Sequence, residues 1–442
     1  MSGFGFTPNN PDDEENGKKP EGFNFGNFGE IFQQFSGMGL NLQGLISSLS
    51  GQASPTALSK QMIRDISKKF LTAHGEIPVG ANDLHAMSEA LAIADIWLND
   101  VTSFPALPIS DNCALSRRDW IDSTLAGWEE LARPLVEGMS DAMKAMIEEN
   151  MGEGENSLQL PGLAIPGLNI PKSTITSIMG TFMSSLISTQ LGQTIGQLST
   201  TVTGANDVAL PLTNPVRAQL IPQNVKVWGS GLEIDETEIR IYLALREIAA
   251  SRLFAAAPWL REYIRTSIST YGKGIRVDIS AITQQAEDAM NSGEIDPSNP
   301  ESMTLALTGG MFTPEETPAQ RAALEKLEMV LALIEGWIDA IVTAAAAERL
   351  PSLVKLRETQ QRRRATNSPT QQLFASLVGL EVSPRRAREA SAFWKKLAEI
   401  TDVQKRDQIW DESFLLPTAD QLADPENFIK SRTVPDDLSG LI

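Results

Sequence analysis

The residues of this chain whose types and spacing come nearest to a catalytic pattern lie between Leu245 and Phe254, in the stretch LREIAASRLF. Glu247 follows Arg246 and precedes Ala250 by three residues, which is the spacing of the H-E-x-x-H zinc-binding motif. That motif works because two imidazoles one helical turn apart hold Zn²⁺ while the glutamate activates a bound water. Arg246 is cationic and Ala250 has no donor atom, so the sequence predicts that this helix keeps the glutamate but binds no zinc in that way.

A second carboxylate, Glu335, lies on the apolar stripe of another predicted helix. An unpaired charge in such a position is costly, so both Glu247 and Glu335 need a compensating partner. We predict that Arg246 occupies the place of the metal and pairs with Glu335 or Glu247, which would leave a buried salt bridge. Two alternatives stay open: Arg246 and Glu247 reach solvent or unrelated partners, or the two carboxylates lie close together and do acid–base chemistry.

Other reactive residues are few. His74 and His85 are the two histidines of the chain, and both lie far upstream of Arg246 with no spacing typical of a zinc site. The one cysteine, Cys113, has no C-x-x-C partner. No cofactor is therefore predicted from these residues.

The elements that must position Glu247 and Glu335 are helical by their apolar periodicity. Asp235 and Glu238 resemble the start of a capped helix that carries the motif and ends at Pro258. Thr317 and Gln320 indicate the start of the helix that carries Glu335, which is expected to run to Leu350. Further helices are predicted over residues 58–73, 82–98, 116–150, 369–380 and around 393–394. Strand-like alternation is scarce, so the predicted fold class is mainly α.

Domain organisation follows from changes in composition. Residues 1–52, rich in Gly, Asn, Phe and Ser, predict a disordered tail. Residues 53–442 are interpreted as one mainly helical domain, with a subdivision near 155–172 as the alternative, because the linker PGLAIPGLNIP falls there. The segment Ser173–Thr203 is too rich in Ser, Thr and Gln for a membrane span and predicts a buried helical hairpin or, alternatively, a dimer surface.

The C-terminal part of the chain is predicted to contain a basic helix after Pro351 and a turn at Arg362–Arg364. From Leu415 onward we expect an extended acidic tail.

Charge and cysteine content limit the partners and the compartment. The formal net charge of −19 argues against binding to nucleic acid or an anionic membrane. A single cysteine fits a reducing compartment, and the first residues lack a signal peptide, so we expect a cytoplasmic protein. The expected partner is another protein, of unknown identity, or a second copy of this chain.

Four blocks of sequence, in order between Ser54 and Phe428, resemble the actinobacterial zincin-like family known as zinc-dependent metalloproteases. The blocks are YLALREIAASRLFAAAPWLR, GGMFTPEETPAQRAALEKLEMVLALIEGWIDAIV, RRRATNSPTQQLFASLVGLEVSPRRAREASAFW and RDQIWDESFLLPTADQLADP. One branch of that family has H-E-x-x-H and a downstream E-G-H. This chain is similar to the other branch, which has R-E-x-x-H and E-G-W.

The resemblance implies a zincin-like fold and assigns roles to positions. Arg246 and Ala250 match the two zinc-ligand sites, Glu247 the general base, Glu335 the carboxylate ligand and Trp337 the third histidine. Zinc is the cofactor of the family, but Ala250 replaces even the histidine that the second branch keeps. We therefore expect a non-catalytic protein that acts as a binding or structural partner. The alternative is an active hydrolase or peptidase with a non-standard site around Glu247 and Glu335.

Overall fold

Helices make up almost all of the regular structure that the computed structural model describes, as the sequence predicts. The described residues are 58–150, 157–158, 170–275, 317–378 and 385–432. The predicted tail 1–52 and most of the PGLAIPGLNIP linker lie outside them. Contacts divide the chain into two units, residues 1–52 with 151–175 and residues 53–150 with 176–442. In the first unit, the described residues include a two-residue antiparallel pair of strands, β1 (Ser157–Leu158) and β2 (Ile170–Pro171).

The described helices are numbered in chain order. They are α1 (Lys60–His74), α2 (Ala81–Leu98), α3 (Arg117–Asn150), α4 (Lys172–Ser199), α5 (Pro222–Gly229), α6 (Glu236–Ala256), α7 (Trp259–Gly272), α8 (Pro318–Ala346), α9 (Leu353–Asn367), α10 (Pro369–Val378), α11 (Arg385–Ile400), α12 (Val403–Asp407), α13 (Ala419–Leu422) and α14 (Pro425–Lys430). Two 3₁₀ turns, Gln408–Trp410 and Ser413–Leu415, lie between α12 and α13.

Helix α6 lies at the centre of the second unit. It begins where the Asp235 side chain accepts a hydrogen bond from Thr237 N at 2.7 Å, and acidic residues in its first turn suit the positive end of the helix dipole. Every residue from Ile241 to Phe254 is buried. A helix that is apolar nearly all round is stable only when neighbours cover it on every side, so α6 is a core element.

Helices α2 and α8 both pack against α6, and α8 also packs against α7 and α11. The predicted cap of α8 is confirmed: Thr317 Oγ1 accepts from Gln320 N at 3.2 Å, and the Gln320 side chain accepts from Thr317 N at 3.1 Å. Among the described helices, α8 is the one long and apolar enough to cross a membrane. However, 72% of its most apolar stretch is buried inside the fold.

A buried loop between α4 and α5 lies along α6 on another side. Its ends pair through backbone hydrogen bonds, Ala205 N to Gln219 O and Ile221 N to Thr203 O, both at 2.9 Å. Leu220 also bridges to the segment around Cys113, since Leu220 N donates to Cys113 O at 2.9 Å. Backbone hydrogen bonds alone thus fix the two ends of this loop, residues 201–221.

The hairpin expected at Ser173–Thr203 is wrong, because the segment forms one continuous helix, α4. Its small residues do serve close helix contact, as predicted, but the partner is α1. A Cβ at Gly192 would lie 2.9 Å from Ile66 Cβ, and one at Gly196 would lie 2.8 Å from Phe70 Cβ. Because α1 already supplies the second helix of the pair, the segment does not need to fold back on itself.

Two predictions for the C-terminal part are also wrong. Arg362–Arg364 do not form a turn but lie within α9, where Arg363 donates to Trp228 O of α5 and Arg364 donates to Asp207 of the loop. The tail from Leu415 is not extended throughout, since α13 and α14 follow. Phe428 of α14 is buried against Phe393 of α11, with ring centroids 5.3 Å apart, which gives this short helix a core contact.

Candidate functional site

Glu247 is enclosed where α6 passes the loop 201–221. Its carboxyl accepts hydrogen bonds from Asn206 N at 3.1 Å, Asn206 Nδ2 at 2.7 Å and Gln219 N at 3.1 Å. The residue is 3% exposed. Burial raises the pKa of Glu247 to about 8, although these donors oppose the shift. At neutral pH the group is therefore mostly a neutral carboxylic acid.

Gly204 allows the loop to approach this carboxyl. A Cβ at position 204 would lie 2.4 Å from Glu247 Oε2 and 2.8 Å from Gln219 O. Real atoms do not come that close, so any side chain here would push the loop away from α6. The glycine is thus part of the enclosure of Glu247.

Arg246 points from α6 towards α8 and meets Glu335 there. Its Nη2 lies 2.5 Å from Glu335 Oε1, and the two side chains are 8% and 18% exposed. Burial by itself would lower the pKa of Arg246, but the negative charges around it, that of Glu335 before those of Asp207 and Asp339, together outweigh burial and raise that pKa. The pair is a charge-assisted hydrogen bond in a largely dry setting.

A second arginine reaches the same carboxylate from α9. Arg364 Nε lies 3.4 Å from Glu335 Oε1, and Arg364 Nη2 lies 2.6 Å from Asp207 Oδ1 and 2.7 Å from Asp207 O. Burial tends to raise the pKa of Asp207, but Arg364 and the donors of Thr203 hold it below its usual value. The four charged groups alternate in sign.

These groups surround a small pocket that has room for about one water molecule. It is lined by Thr203, Asn206, Asp207, Ala209, Leu243, Arg246, Glu247, Ala250, Glu335, Ile338 and Arg364. The sequence-predicted positions Arg246, Glu247, Ala250 and Glu335 are thus brought together around one pocket.

Comparison with known proteins decides the family. The model of the zincin-like metallopeptidase family matches residues 60–429 of the chain. The chain belongs to the zincin-like metallopeptidase family. A solved structure of a proposed hydrolase with a novel fold from Chloroflexus aurantiacus is similar in fold, with a TM-score of 0.55 at 17% sequence identity. The match covers 85% of this chain and all (100%) of that one. Among the curated proteins, none matches.

The residues of this zincin-like chain do not fit the zinc that its family implies. The two α6 positions that the sequence resemblance matches to zinc ligands, Arg246 and Ala250, carry a guanidinium and a methyl group, and neither coordinates Zn²⁺. The remaining carboxylate, Glu335, already accepts from Arg246 and Arg364. Within the described ranges, no group of three or more His, Cys, Asp and Glu side chains is placed to hold a metal ion.

Trp337, at the position matched to the third histidine, turns away from this pocket into a different buried network. Its Nε1 donates to Asp407 Oδ1 at 3.1 Å. Asp407 is fully buried and also accepts from Thr102 Oγ1 at 2.7 Å and from Arg406 Nε at 2.9 Å. The position therefore ties α8 to α12 instead of contributing to the site.

The two histidines and the cysteine lie outside the pocket. His74 and His85 are exposed on α1 and α2, where His85 Nε2 lies 3.3 Å from Glu89 Oε1. Cys113 is buried, and burial raises the pKa of its thiol, which disfavours the reactive thiolate.

Sequence reasoning missed Asn206, Asp207, Gln219 and Arg364. The first three lie in an irregular loop, which has no periodic pattern, and Arg364 lies in a run of three arginines that suggests a solvated surface. The available signal was the polarity of the loop segment TGAND, where each polar side chain ends up buried or half-buried.

Proposed function

We propose that this zincin-like protein is a non-catalytic member of its family, in which a salt bridge takes the place of zinc and which acts by binding a protein partner. The observation that carries the proposal is the contact of Arg246 Nη2 with Glu335 Oε1 at 2.5 Å. It puts a guanidinium where the motif would carry a ligand, and it occupies the carboxylate that would complete the metal site. We also infer that the chain comes from the actinobacterial branch with R-E-x-x-H and E-G-W, from which it departs at Ala250.

The state of Glu247 supports the same proposal. A general base needs a free lone pair near its substrate and a pKa below the working pH. Glu247 is enclosed by Asn206 and Gln219, and its pKa of about 8 keeps it protonated at neutral pH. The water activation on which zinc peptidases depend has neither its metal ligands nor a free base in this arrangement.

The test is a zinc and peptidase assay on the full-length protein after removal of any affinity tag. We expect far less than one zinc per chain by elemental analysis and no cleavage of unfolded casein or of a quenched peptide library. Glu247→Gln should give the same result as the wild type. Stoichiometric zinc together with cleavage that disappears in Glu247→Gln would establish the hydrolase instead.

The partner and the compartment are part of the proposal. We propose a cytoplasmic protein, because its single cysteine is free and fits a reducing compartment. We propose no binding to nucleic acid, because the formal net charge is −19. Cross-linking in intact cells followed by mass spectrometry should recover protein partners or a second copy of this chain. Recovery in the medium instead of the cytoplasm would contradict the localisation.

A further inference from the structure

The sequence predicts one arginine at the former metal position, and the structure contains two. Arg246 comes from α6 and Arg364 from α9, and both donate to the same atom, Glu335 Oε1, over 2.5 Å and 3.4 Å. Arg364 also forms an ion pair with Asp207 on the loop 201–221. The four side chains form one line of alternating charge that joins three helices and the loop.

The charges of this line sum to zero, with two guanidiniums facing two carboxylates. Such a balance matters because the side chains of Arg364, Asp207 and Glu335 are only 14%, 13% and 18% exposed, so water screens them little. Asp207 is also held from its other side, since Thr203 N donates to its Oδ2 at 2.8 Å. Asp207 therefore has a fixed donor at each oxygen, and Glu335 Oε1 has two guanidiniums beside it.

We infer that Arg246 and Arg364 together replace a divalent cation, supplying its two positive charges and holding Glu335 and Asp207 in its absence. This inference rests on the proposed function, in which the site has no zinc. It assigns Arg364, which no motif marks, as a positioning residue of the site. It also means that restoring the two histidines alone does not restore a good zinc site, because Arg364 still competes for Glu335.

The test compares zinc binding by tag-free, full-length variants. The variants are Arg246→His/Ala250→His, the same pair with Arg364→Gln, and the same pair with Arg362→Gln as a matched control. Arg362 lies on the same helix, and its recorded ion-pair partner is the exposed Glu358. Titration with Zn²⁺ should show at least about tenfold tighter binding when Arg364 is replaced, because Glu335 then loses a competing cation. The Arg362 control should bind like the histidine pair alone.

Equal zinc affinity with and without Arg364→Gln would overturn the inference, while the proposed function would stand as long as the wild type binds no zinc. Stoichiometric zinc in the wild type would instead overturn the proposed function itself. If the variant with three substitutions does not fold, a double-mutant cycle of Arg364→Gln and Glu335→Gln in the wild-type background replaces it. The loss in urea midpoint of the double variant should be clearly smaller than the sum of the single losses. Additive losses would overturn the inference.

Discussion

Glu247 is a carboxyl group inside the fold, and its ionisation is costly there. The unfolded chain has a pKa near the ordinary 4.5 at this position, whereas the folded chain has about 8. The folded state thus holds its proton more tightly. The contribution of this bound proton to the free energy of unfolding is fully present below pH 4.5 and is lost as the pH rises through 8.

The difference in stability between Glu247→Gln and the wild type should therefore shift in favour of the variant when the pH is raised from 5 to 9. The amide keeps an acceptor for Asn206 and Gln219 but has no proton to lose. Between pH 5 and pH 9 the wild type should lose on the order of a few kcal/mol more free energy of unfolding than Glu247→Gln does. Urea unfolding over this pH range measures it, and Glu325→Gln on the exposed face of α8 is the control. Parallel pH profiles for the wild type and Glu247→Gln would contradict the prediction.

Gly204→Ala should destabilise the fold, because the new Cβ would lie 2.4 Å from Glu247 Oε2. Overpacking of this kind costs about 1–3 kcal/mol. Thermal or urea unfolding measures the loss. Gly80→Ala is the matched control, since its Cβ would meet Asp83 Oδ2 at an ordinary 3.6 Å. The enclosure of Glu247 is misjudged if both alanine variants unfold at the same urea concentration.

Single residues also show what the sequence can and cannot predict. Arg246 and Glu335 stand out because each is a charge on an apolar helix face, and the structure brings them together across 89 positions of sequence. Whether they act in place of zinc stays a prediction. Asn206 and Arg364 could not be placed, because their roles depend on where a loop and a surface helix dock.

At the scale of elements, the helices of the core follow their caps and their apolar periodicity, as α6 and α8 show. Predictions failed where an element's partner lies elsewhere in the chain. The Ser67 side chain of α1 donates to Gly192 O of α4 at 2.8 Å, a contact between positions 125 apart. Small residues in a helix indicate close packing but do not show which other helix packs there. The sequence therefore predicted a hairpin, whereas the single helix α4 packs against α1.

The link between α8 and α12 is one contact that substitution can isolate. Trp337→Phe removes the indole N–H that donates to the fully buried Asp407 Oδ1, which keeps Arg406 as a donor, so the variant loses one hydrogen bond, worth about 0.5–1.5 kcal/mol. Trp410→Phe is the control, because Trp410 is equally buried and its Nε1 has no hydrogen-bond partner. The free energy of unfolding should fall further in Trp337→Phe. A larger loss in Trp410→Phe would mean that the volume of the ring, and not its hydrogen bond, determines the loss of stability.

At the scale of the whole molecule, the apolar length of α8 is hidden by its neighbours, and the net charge is −19. The folded protein should therefore not float with lipid vesicles of neutral or anionic composition in a density gradient. A synthetic peptide of Pro318–Ala346 is the control and should bind both, because its apolar face has lost its cover. Flotation of the intact protein with neutral vesicles would show that α8 becomes exposed.

The burial of α6 on all sides has a consequence for the order in which the chain is made. On a ribosome, Arg246 is made 89 residues before its partner Glu335, which lies in the covering helix α8. At about 5–20 residues per second, α6 waits roughly 4–18 seconds for that cover. During this interval Arg246 and the apolar surface that α8 later covers are exposed to solvent or to a chaperone. The core of this protein therefore closes late in synthesis, after most of the chain has left the ribosome.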